Sequence, residues 1–60
     1  MTQADFTAAL ELELRLRGVG FSRADMIEFV ASIWTLAQDD PDPTRWAQDF
    51  LDAGRVNVTV

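Results

Sequence analysis

The 60-residue chain contains no cysteine, no histidine, no lysine and no tyrosine. Without cysteine no disulfide can brace a small fold, and without cysteine or histidine a zinc site loses its ordinary ligands. The same absences remove the parts for nucleophilic catalysis, since no thiol, imidazole or amine base is present. Ser22 and Ser32 have simpler roles, as a helix cap and a helix-surface residue. A paired-carboxylate mechanism needs two acids converging in a cleft, and a chain this short rarely encloses one. The reading is therefore non-enzymatic, with no catalytic, cofactor-binding or metal residue expected.

Other things are scarce as well. No leader sequence, membrane-length apolar run, low-complexity tract or internal repeat is visible, which points to one small soluble domain over residues 1–60 and a cytoplasmic location. Positive charge is thin: ten carboxylates face five arginines, for a net charge of −5. Phosphate backbones and anionic membranes repel such a chain unless its cations converge. Arg15, Arg17, Arg23, Arg45 and Arg55 are scattered instead, so neither nucleic acid nor membrane is expected as a partner.

What is present is apolar surface. Nearly half of the chain is hydrophobic, 48%, with two Trp and four Phe. A domain of this size hides only about 60% of the surface its unfolded chain exposes. With disulfides excluded and metal ligands poor, association with another chain is the remaining way to cover the excess.

The chain is organised around the stretch from Phe21 to Gln38. Asp25, Glu28, Ser32, Thr35 and Asp39 recur at alternating steps of three and four, one narrow stripe of a helix. Nearly everything off that stripe is apolar, which predicts a long central helix over residues 23–38, covered from at least two directions. Ser22 is placed as N-cap, Asp25 as the acid of a capping box, and Phe21 as a staple onto Met26.

A first helix is expected over residues 3–17, opened by Thr2 as cap. The run from Leu10 to Arg17 alternates like a strand. Ala, Leu, Glu and Arg are helix formers, however, and Glu11 with Arg15 and Glu13 with Arg17 stand at supporting i,i+4 spacing. As a helix it carries two apolar rows, Phe6, Leu10 and Leu14 on one and Ala9, Leu12 and Leu16 on the other. One row can pack inside; the other is covered by the third helix or is a contact surface. Gly18 and Val19 read as a Schellman stop.

The prolines of Asp39-Asp40-Pro41-Asp42-Pro43 end the central helix, and Asp42 caps a third helix over residues 43–53 with Pro43 at its first position. Gly54 stops it. Trp46, Ala47, Phe50 and Leu51 share that helix's apolar face. Trp34 reads as core, and Trp46 as core or as an interface anchor. Residues 55–60 alternate with period two like a short strand that has no second strand to pair with in this chain, and so form an extended tail or pair with the tail of another copy. The expected core is Phe21, Met26, Ile27, Phe29, Val30, Ile33, Trp34, Phe50 and Leu51.

Val19-Gly20-Phe21-Ser22-Arg23, set between a first and a second helix, resembles the Met-Gly-Phe loop of ubiquitin-associated domains. The resemblance covers five residues plus helix order. Val stands where that family has Met, and the second helix is expected to be longer, so ubiquitin binding is not carried over. A helix-turn-helix reading fails on charge, because Arg23 is the only cation on the central helix. The acidic loop Asp39, Asp40, Asp42 lacks the glycine and the closing acid of a calcium loop, and reads as helix capping.

The expectation is thus an all-α three-helix bundle acting as a protein-interaction or oligomerisation module, a homodimer by preference. Candidate contact residues are Leu12, Leu16, Trp46, Val56, Val58 and Val60. The alternative is an acidic regulator, with pI near 4.2, that sequesters a basic protein partner, nucleic-acid-binding proteins included.

Overall fold

The computed structural model describes residues 1–54, and three helices occupy most of them: α1 (Gln3–Leu16), α2 (Arg23–Ala37) and α3 (Pro43–Asp52). The chain is an all-α three-helix bundle, with each helix end set by the local chemistry of the sequence.

The Thr2 hydroxyl accepts from the Asp5 amide at 3.1 Å, and the Thr2 carbonyl accepts from the Phe6 amide at 2.9 Å. At the other end of α1, Gly18 takes φ +72°, the left-handed conformation that glycine adopts without penalty. That turn lets the Val19 amide donate to the Leu14 carbonyl and the Gly18 amide to the Arg15 carbonyl, each at 3.0 Å. These two bonds define a Schellman motif, and its hydrophobic member Val19 packs against the core. Asp42 caps α3 by accepting from the Thr44 amide at 3.0 Å, with Pro43 as the first helical residue.

Ser22 caps α2, its hydroxyl accepting from the Asp25 amide at 3.0 Å. The Asp25 carboxylate forms no return bond to the Ser22 amide among the described residues, so one arm of the box closes and Asp25 acts through its charge at the helix N-terminus. Ser22→Ala should therefore destabilise by about 1 kcal/mol. Combined with Asp25→Ala in a cycle of urea melts, it should be additive within about 0.5 kcal/mol. A larger coupling would show that the second arm closes in solution.

The core lies between all three helices, and α1 is the one nearest both of the others. Phe6, Leu10 and Leu14 are fully buried, against Met26, Phe29, Val30 and Ala37 from α2 and Trp46, Ala47 and Phe50 from α3. Phe50 stands edge-on to Phe29 at 5.1 Å and to Phe21 at 6.4 Å, while Phe6 meets Trp34 at 5.6 Å. Such tilted and edge-to-face pairs are the favoured aromatic arrangements.

This packing corrects two expectations. At 15 residues α2 is only one longer than α1, and although it packs on both α1 and α3 its flanks stay open. Ile27, expected in the core, is 55% exposed, and Leu36 is 67% exposed. The reason is geometric: among the described residues only two other helices are available, and α3, at 10 residues, is too short to reach the flanks of α2. Phe21, Ile33, Trp34 and Leu51 are partly buried around the rim of the core.

Candidate interaction surface

The two leucine rows of α1 separate cleanly. A helix turns about 100° per residue, so Leu12 sits about 200° round from Leu10. The Phe6, Leu10, Leu14 row enters the core, and Leu12 and Leu16 are left 56% and 76% exposed. Although α3 packs closely on α1, it does not cover that second row. Arg17 shows where α3 lies instead: it pairs with Glu13 at 3.2 Å and donates from Nη2 to the Thr44 carbonyl at 3.1 Å. That contact seats the start of α3 beside the core-facing side of α1.

Around Leu12 and Leu16 the surface is continued by residues of the same helix. Asp5, Ala8 and Arg15 are exposed and Ala9 is half-buried. Of the two i,i+4 pairs expected in α1, Glu13 and Arg17 form one, whereas the Arg15 guanidinium lies 5.9 Å from the ring centroid of Phe21. Arg15 is exposed, and its guanidinium faces a half-buried ring in the segment between α1 and α2.

Trp46 is not an exposed anchor. It is buried in the core, and its Nε1 donates to the Asp40 carbonyl at 2.8 Å. Arg45 closes over it, with its guanidinium 4.9 Å from the ring centroid and Nη1 2.7 Å from the Asp40 carboxylate. An indole needs a partner for its N–H when buried, and the loop carbonyl supplies one. The same contacts account for the acidic loop: Asp40 pairs with Arg45, and Asp42 caps α3. Among the described residues no group of three His, Cys, Asp or Glu side chains is placed to hold a metal ion. Val56, Val58 and Val60 lie outside the described residues.

Ile27, expected in the core, and Leu36, given no site role by the sequence, are further exposed apolar positions. On the helical wheel they lie about 80–100° to either side of Met26, next to the polar stripe. Residues at such borders are covered or left open according to how many neighbours the helix has, which local sequence does not specify. No helix among the described residues is long and apolar enough to cross a membrane.

No family model, curated protein or solved structure matches the chain. Its five-residue likeness to the ubiquitin-associated loop has a local explanation in this fold. Val19 completes the helix stop, Phe21 packs on Phe50 and Ser22 caps α2.

Proposed function

We propose that this chain is a small non-enzymatic interaction module that self-associates through the outer row of α1. The observation that carries the reading is the pair Leu12 and Leu16, one turn apart on a helix that already buries a separate row in its core. Full burial of a leucine is worth about 1.5–3 kcal/mol, so two of them left in water on one stripe are a strong incentive to association. The chain also lacks the disulfide that often stabilises domains of this size.

Sedimentation equilibrium from tens to hundreds of micromolar tests this. The wild type should associate reversibly, and the association should persist in high salt, because apolar contacts are little screened. Leu12→Glu combined with Leu16→Glu should be monomeric yet melt like the monomeric wild type, since neither side chain enters the core. A wild type that stays monomeric and folded throughout would overturn the proposal. Loss of association in salt would favour the charge-driven alternative, in which the acidic chain captures a basic partner.

A further inference from the structure

Resting on that reading, we infer that the occupant of the outer face of α1 is α1 of a second copy, running antiparallel about a two-fold axis, with Asp5 of each copy facing Arg15 of the other. Asp5, Ala9, Leu12 and Leu16 follow one another at steps of four, three and four, the spacing of a helix-pairing seam. Ala8 and Arg15, seven residues apart, run along its exposed flank. The seam is uneven along its length: both large side chains are in its C-terminal half, and the small or short ones are in its N-terminal half.

That unevenness selects the orientation. Parallel pairing sets leucine against leucine and alanine against alanine, leaving the N-terminal half underfilled. It also sets Asp5 against Asp5 and Arg15 against Arg15. Antiparallel pairing places Leu12 of each copy over the Ala8 and Ala9 step of the other, so large meets small at both ends, as close packing requires. The charges then alternate favourably, with Asp5 opposite Arg15 twice by symmetry, and the two helix dipoles oppose. Like charges in the parallel arrangement act as the repulsive element that specificity needs.

The helix limits the strength of the contact. At 14 residues it is about 21 Å long, so one helix pair falls below the 1,200–2,000 Å² of roughly standard interfaces. The expected association is weak and fast, with a dissociation constant on the order of a hundred micromolar.

The test is a charge exchange read by sedimentation equilibrium at low salt. Asp5→Arg and Arg15→Glu, each alone, set two like-charged pairs into the antiparallel dimer and should weaken it by roughly fivefold or more. The double variant Asp5→Arg, Arg15→Glu restores two opposite pairs and should recover most of the wild-type affinity. Circular dichroism melts show that each variant is folded. In a parallel dimer the single variants leave the like-charged contacts as they were, and affinity does not fall. If Leu12→Glu with Leu16→Glu abolishes association while the single charge reversals leave it unchanged, the face is correct and the antiparallel register is refuted. If the wild type never associates, both the register and the reading beneath it fail.

Discussion

Phe50→Ala should cost about 3–5 kcal/mol of stability, the usual range for removing a buried aromatic ring. Phe50 is fully buried and is the ring on which both Phe29 and Phe21 pack edge-on. Its removal takes apolar burial from α3 and leaves two further rings without their partner. At about 0.05–0.15 kcal/mol per residue, a chain of this length has only a few kcal/mol of stability to lose. The expected result is a chain largely unfolded at room temperature, visible as lost helical circular dichroism. A variant that retains a cooperative melt within a few degrees of wild type would show that α3 is not docked through this ring.

Leu10→Ala and Leu12→Ala should differ sharply, although the two leucines are two residues apart. Leu10 is fully buried, so its truncation leaves a cavity among Phe6, Leu14 and the facing helices and should cost about 2–5 kcal/mol. Leu12 is more than half exposed, and its truncation in the monomer should change stability by no more than about 0.5 kcal/mol. Melts at low concentration, where the chain is monomeric, provide the comparison. Equal losses would mean that both rows are covered within one copy, and the outer face would cease to be a candidate surface.

The parts of the fold that were legible in the sequence are those fixed by neighbouring residues. Thr2, Ser22 and Asp42 each satisfy amides two or three residues on, and Gly18 and Gly54 each adopt positive φ after a helix. Helix ends depend on such local bonds, so their positions can be read without knowing the packing. The arrangement of the helices depends on contacts between distant residues, which local periodicity does not specify. The strongly apolar α2 was expected at the centre, whereas α1 is the helix nearest both others, and Ile27 and Leu36 stay open. An apolar flank states what a helix would bury if it could. It does not state whether a neighbour exists to bury it.

The candidate surface was legible in part for the same reason. Helical periodicity alone separates Leu12 and Leu16 from Leu10 and Leu14, but only the placement of α3 decides which row stays outside. Trp46 went the other way. As a tryptophan on an amphipathic helix it fits an interface or a core equally well by sequence. The Asp40 carbonyl that receives its N–H and the Arg45 that covers its ring depend on how the loop after α2 folds back.

The central claim, that the outer row of α1 is a contact surface, is tested most directly by following backbone amide chemical shifts on dilution of the wild-type chain from millimolar to low micromolar concentration. The account predicts shifts that move with concentration along the outer face of α1, at Asp5, Ala8, Ala9, Leu12, Arg15 and Leu16, while Trp46 and Phe50 stay fixed. Shifts that do not move anywhere over that range, or that move around Ile27 and Leu36 instead, would contradict it.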